Sequence, residues 1–206
     1  MITIDQVLAL YPELLVQRPL AEYFRENEAA RRYVSVCLAK GWPARIDHLT
    51  IRCLDIERSA RPFLAIGYED RREVIEYSDQ GWWAKVYRKA GYPALFIDQA
   101  YADERGKKSF LPVWVKTFGE DCFHHVAVLV DDIEAAMAAM RLEGVEFSGE
   151  IVGARGTRLR QIFTAAEQRK GQAYSVLELT ERRDYDGFVP EQADGLMQAS
   201  KNVKRH

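Results

Sequence analysis

Cysteine is scarce in this chain and shows no pairing pattern: Cys37, Cys53 and Cys122 make an odd count with no Cys-x-x-Cys spacing. That argues against a disulfide frame or a zinc knuckle and leads to the expectation of a reduced, cytoplasmic protein. Long apolar runs are also missing, since none approaches the ~20 residues a transmembrane helix needs. The first fifteen residues carry Asp5, Pro12 and Glu13 and lack a basic region, so they do not read as a signal peptide. Nor does one sign of charge dominate. Lys plus Arg number 29 and Asp plus Glu 31 in 206 residues, a net charge of −2 that weighs against a coat for nucleic acid or anionic membrane. Gly-x-Ser-x-Gly is absent, and Gly153-Ala154-Arg155-Gly156 is too short and wrongly placed for a phosphate-binding loop. Histidine is limited to His48, His124, His125 and His206, so any two-histidine metal site must draw on these four.

What is present is a soluble globule's composition, 48% hydrophobic and 29% charged, enough for a real core. Residues 1–42 read as a helical cap. Ile4, Val7, Leu8 and Tyr11 recur at helical spacing, Pro12 marks a break, and a second helix is expected from Pro19 to Lys40. From Arg45 the texture turns to β. RIDHLTIRC, a helical DIERSARPFLAIGYE, then REVIEYSD, WWAKVYRK and ALFIDQAY give the order strand, helix, strand, strand, strand.

The same order returns with HHVAVLV, the helix DDIEAAMAAMRLEG, and the strands VEFSGEIVG, LRQIFTA and AYSVLELTE. Residues recur with it: His48 precedes Asp55-Ile56-Glu57 by seven positions, and His125 precedes Asp132-Ile133-Glu134 by the same seven. Two βαβββ modules are therefore expected, over 43–118 and 119–184, with a C-terminal tail at 185–206, in the α+β class. The repeat selects His125 over His124 as the partner of His48, and strand alternation predicts that His124 faces the other way, either in the core or in support of a ligand. Aligning GYPALFID with GQAYSVLE sets Asp98 opposite Glu178.

Two modules related by pseudo-symmetry can bring equivalent strands to one cavity. His48, His125 and Glu178 are the residue types of a facial triad, two imidazoles and one carboxylate that leave positions open on an octahedral metal. An ionised Glu178 inside Val176-Leu177-Glu178-Leu179 needs a partner, because burying it alone is expensive. His48, Thr50 and Arg52 share a strand face, with Arg52 ~13 Å beyond His48 along the strand. Its guanidinium is suited to gripping the far carboxylate of a substrate held at the metal. Arg155 and Gln161, in and beside the turn GARGTRLRQ, are further candidates for substrate binding, against the plainer reading of a solvated loop.

The doubled βαβββ plan, with His-[Leu/Val]-[Thr/Ala]-[Ile/Val] opening each copy and Leu-Glu-Leu closing the second, resembles the vicinal oxygen chelate superfamily. That resemblance implies a mixed β-sheet barrel. The segment Asp47-His48-Leu49-Thr50-Ile51-Arg52, the helical N-terminal region and the tail (Tyr185-Asp186-Gly187-Phe188, Ala193-Asp194, Ala199-Ser200-Lys201) are similar to the 2-oxoadipate dioxygenase/decarboxylase family, also called hydroxyglutarate synthase. The resemblance implies Fe(2+) on His48, His125 and Glu178, with Arg52 on a substrate carboxylate. It further implies dioxygen and a small-molecule 2-oxo acid such as 2-oxoadipate as partners, decarboxylation, and a hydroxy acid as product. A homo-oligomer is compatible with it. Two alternatives remain open. One is a glyoxalase-I-like isomerase or lyase with Asp98 as a fourth ligand. The other is a binding protein of the bleomycin-resistance type that holds its ligand without metal.

Overall fold

The computed structural model describes residues 3–120, 122–189, 192 and 196. Three helices lead: α1 (Ile4–Ala9), α2 (Leu14–Glu26) and α3 (Glu28–Lys40). The expected single helix from Pro19 begins earlier and ends sooner, because Pro19 sits inside α2 and the chain breaks at Asn27. Asn27 is extended, and its side-chain oxygen accepts from the Ala30 amide at 2.8 Å, capping α3. Its Nδ2 donates to Ser175 Oγ at 3.1 Å, and Tyr23 Oη donates to the Val176 carbonyl at 2.5 Å.

The first module runs β1 (Arg45–Cys53), α4 (Ile56–Ala65), β2 (Glu69–Tyr77), β3 (Trp82–Arg88) and β4 (Ala94–Ala100). A helix not foreseen from the sequence, α5 (Leu111–Phe118), leads into the second. There follow β5 (Phe123–Val130), α6 (Ile133–Leu142), β6 (Phe147–Val152), β7 (Leu159–Thr164), a three-residue β8 (Glu167–Arg169) and β9 (Gln172–Arg182). The repeated Asp-Ile-Glu proves to be a helix start in both copies. Asp55 accepts from the Arg58 amide at 3.0 Å and Asp132 from the Ala135 amide at 2.8 Å. Gly153 belongs to the β6–β7 turn, with φ +97° and a Cβ position only 2.4 Å from the Leu159 carbonyl, so the turn itself demands glycine there.

The strands hydrogen-bond in the order β2-β3-β4-β1-β5-β9-β7-β6, with β8 pairing β9 off this path. β1 and β5 meet antiparallel at the centre, and each has the last strand of its own module parallel on its other side. The expected barrel is an open sheet: no β2–β6 ladder forms among the described residues. It is nevertheless strongly curled, since Ile75 on β2 and Gln161 on β7 line the same small pocket. Alternation sorts the strands. Leu49, Ile51, Val126, Val128, Leu177 and Leu179 face the helices and form the main core. His48, Thr50 and Arg52, with His125, Glu178 and Thr180, occupy the alternate positions and are buried as well. Both faces of the central strands are covered, the apolar one by the helices and the polar one within the curl of the sheet.

Candidate metal centre

The ligand atoms offered by His48, His125 and Glu178 all lie within 4.8 Å of one another, and the three residues are buried. His48 Nε2 stands 3.3 Å and His125 Nε2 3.5 Å from the same oxygen, Glu178 Oε2. Cis donors on an octahedral ion with ~2.1 Å bonds are ~3.0 Å apart, so the two nitrogens stand a few tenths of an ångström farther from Oε2 than a shared divalent cation would hold them. The other Glu178 oxygen is already occupied: Gln161 Nε2 donates to Oε1 at 2.6 Å and the Thr180 hydroxyl at 2.9 Å. These two donors leave Oε2 as the oxygen turned to the imidazoles. Gln161 thus acts through Glu178. Thr50 Oγ1 lies 2.8 Å from His125 Nε2.

The electrostatics follow from burial and from Glu178. Burial alone would depress His48, but the Glu178 and Asp47 carboxylates outweigh it and raise the group to about 9. His125 is pushed well below the ordinary histidine range by burial and by the His48 and Arg52 charges. A divalent cation replaces a proton on such a cluster, since ligating imidazoles are neutral and their affinity rises as protons leave. The donor set, two nitrogens and one oxygen with neither sulfur nor a second carboxylate, suits a divalent transition metal with open positions.

Asp98 lies on the pocket wall but outside this group. The strand registers give the reason. Thr50 pairs with Phe96, and its repeat counterpart Ala127 pairs with Glu178. Phe96, two residues short of Asp98, therefore occupies the position equivalent to Glu178. Its ring centroid is 4.9 Å from that of His48. Burial raises the Asp98 carboxyl to about 7, against the pull of the Arg52 and His48 charges.

Arg52 is 2% exposed and stacks its guanidinium between Phe110 (4.7 Å) and Trp114 (5.0 Å). Among the described residues it has no ion pair, and its Nε is buried without a hydrogen-bond partner. It lines a cavity of about 550 Å³ with Trp114, His124, Phe163 and Ser175. The triad pocket is separate and holds only about 30 Å³, closed by Phe96, Trp82, Phe188 and Leu196 among others. Phe163 lines both. Arg155 is exposed in the β6–β7 turn and lines neither space.

Three further side chains join the site in ways the sequence did not show. Asp47 Oδ2 is 2.7 Å from His48 Nδ1 and pairs through both oxygens with Arg182. His124, expected to face away, brings Nδ1 within 3.0 Å of His125 Nδ1. Both results come from register shifts that leave one extra residue in a strand, Asp47 in β1 and His124 in β5, and so cancel the alternation locally. Phe188 is the third, and its ring meets His48 edge-on at 5.3 Å. It arrives there because Arg182 donates to the carbonyls of Tyr185 and Gly187 and turns the chain back. Of the tail motifs, Tyr185–Phe188 is described, whereas Ala193, Asp194, Ala199, Ser200 and Lys201 lie outside the described residues.

No protein-family model and no curated relative matches this chain. Solved structures do. Hydroxyglutarate synthase from Oryza sativa, in complex with 2-oxoadipate, aligns over 91% of each chain at 17% identity with a TM-score of 0.73. The fold is the glyoxalase-like vicinal oxygen chelate fold. A candidate glyoxalase-superfamily protein from Ralstonia eutropha JMP134 shares it at TM-score 0.63 and 14% identity, over 88% of this chain and 84% of that one. A variant of 4-hydroxymandelate synthase from Streptomyces coelicolor shares it at 0.58 and 19%, over 76% and 54%. The concave face of the sheet is the one that carries His48, His125 and Glu178. No helix among the described residues is long and apolar enough to cross a membrane.

Proposed function

We propose that the protein is an iron(II)-dependent dioxygenase that decarboxylates a 2-oxo acid with a second carboxylate, of the 2-oxoadipate type, to a hydroxy acid. The observation that carries this reading is the convergence of two imidazole nitrogens on one carboxylate oxygen, beside a buried arginine whose Nε has no hydrogen-bond partner among the described residues. Bound iron(II) would supply the Lewis acidity and the electron needed to couple dioxygen to loss of the substrate's C1 carboxylate. The residues around it perform the rest. Gln161 and Thr180 hold Glu178 to a single ligating oxygen. Arg52, fixed by two aromatic rings, receives the distal carboxylate as a planar fork. Trp82 lines the triad pocket, and its Nε1–H lacks a partner among the described residues, so it is available to a substrate oxygen. Phe96, Phe163 and Phe188 exclude water from the centre. Hydroxyglutarate synthase and 4-hydroxymandelate synthase among the structural neighbours support this chemistry over the isomerase reading, as does Phe96 in place of a fourth ligand.

The test is anaerobic loading with iron(II), followed by oxygen uptake and carbon dioxide release across a panel of 2-oxo mono- and dicarboxylic acids. Substrate-dependent uptake is expected, lost in His125→Ala. In Arg52→Ala the substrate requirement should rise more for the dicarboxylic acids. Turnover that proceeds equally well without oxygen would overturn the reading in favour of the isomerase.

A further inference from the structure

We infer that Asp47 is the positioning residue of this centre, holding the His48 ring with Nε2 turned inward, and that His124 fills the equivalent place behind His125. The inference rests on reading His48 and His125 as ligands, and it adds what orients them. Asp47 precedes His48 and His124 precedes His125, so the two residues are repeat counterparts. Each is the surplus residue of a strand irregularity: Ile46 pairs with Val128 and His48 with Ala127, while Thr50 pairs with His125 and Ile51 with Phe123. A regular strand would turn both side chains toward the helices. The irregularity instead sets each beside the Nδ1 of the following histidine, at 2.7 Å and 3.0 Å.

The chemistry of the two partners differs. Asp47 is set as a carboxylate by its geometry, because the Arg182 guanidinium donates to both of its oxygens, at 2.6 and 2.9 Å, in a bidentate pair. A carboxylate can only accept, so His48 must carry its proton on Nδ1 and present the Nε2 lone pair. It also makes the ring a stronger donor, as the carboxylate partners of metal-bound histidines do. Behind His125 stands another imidazole, that of His124, which meets the Trp114 ring edge-on at 5.8 Å. One histidine is thus anchored by a carboxylate and the other by a second imidazole. Arg182 fixes Asp47 in turn through two contacts, at 2.6 and 2.9 Å.

The test is titration of the metal-free full-length protein with zinc(II) and cobalt(II), comparing wild type with Asp47→Asn. A 10–100-fold loss of affinity is expected in Asp47→Asn, the usual effect of removing an outer partner of a ligating histidine. Long-range nitrogen–proton spectra of the zinc-loaded wild type should show a protonated, strongly deshielded Nδ1 for His48, assigned by its loss in His48→Gln. The signal should move upfield in Asp47→Asn. A merely structural role for Asp47 would lower the unfolding midpoint of the metal-free protein without moving that signal. If Asp47→Asn does not fold, the wild-type spectrum still decides, because a His48 Nδ1 without its proton would overturn the inference. Equal affinities, within about twofold, in a folded Asp47→Asn would overturn it too. A wild type that binds no divalent ion would instead overturn the metal centre itself, so the two failures are distinct.

Discussion

At the scale of single residues, buried charge sets the behaviour of the site. Asp98 has its carboxyl raised to about 7 by burial, while an unfolded aspartate titrates near ~3.9. The folded protein therefore holds a proton that the unfolded chain releases between those values, and stability falls as pH rises through that window. The contribution is at most about 4 kcal/mol at ~1.36 kcal/mol per pH unit. His48, raised to about 9, adds a further loss between about 6.5 and 9 in the metal-free protein. His124 and His125 act in the opposite sense below ~6.5, being held neutral. The discriminating quantity is thus the difference between wild type and Asp98→Asn. Urea unfolding of the metal-free forms should show Asp98→Asn gaining on wild type by about 3 kcal/mol between pH 5 and pH 8, on top of about 1.5 kcal/mol already gained between pH ~3.9 and 5. An identical difference at both pH values would show that Asp98 is ionised throughout. The two histidines were legible because the sequence repeats with the same seven-residue spacing, and Glu178 because it is a carboxylate inside the apolar run Val176-Leu177-Glu178-Leu179. Asp98 was misaligned by two positions, since the modules enter their last strands differently and sequence similarity alone does not fix register.

At the scale of elements, the N-terminal helices matter through one break. Asn27 ends α2, caps α3 and reaches Ser175 on β9, three residues before Glu178. A cap is worth about 1 kcal/mol, and a buried hydrogen bond left half-made costs about 1–3 kcal/mol. Asn27→Ala should therefore lower stability by about 2–4 kcal/mol in chemical unfolding. Zinc affinity should stay close to wild type, because β9 remains paired with β5 and β7 on either side. A loss of metal binding larger than the loss of stability would show that the helices hold Glu178 in place directly. Apolar periodicity made these helices readable, and alternation with turn residues did the same for the strands. The helix break was hidden because Asn27 is an ordinary polar residue whose cap depends on backbone angles. The irregularities at Asp47 and His124 were hidden for a related reason: they belong to a pairing between strands 70 or more residues apart, not to either strand alone. Helix α5 was passed over although it delivers Trp114 to Arg52.

At the scale of the whole molecule, the curled sheet encloses two spaces that the proposed chemistry needs joined. The triad sits in about 30 Å³, room for little more than one water-sized group. Arg52 sits in about 550 Å³, ample for a small diacid. Phe163 borders both, is 2% exposed, and sets its ring 5.3 Å from that of His125. An acid that chelates the metal while its far end meets Arg52 must pass this ring, whereas Phe188 and Leu196 close the triad pocket from the C-terminal segment. Phe163→Ala should merge the two spaces and lower stability by about 3–5 kcal/mol, the usual cost of truncating a buried phenylalanine. Metal affinity should change little, because the Phe163 side chain supplies no ligand atom and no hydrogen bond to His48, His125 or Glu178. Calorimetric titration of the zinc-loaded protein under nitrogen should then show selectivity shifting about 10-fold toward longer or branched 2-oxo diacids over short ones. The same change for short and long acids would mean that Phe163 only packs the core, and that substrate enters from the side of Phe188.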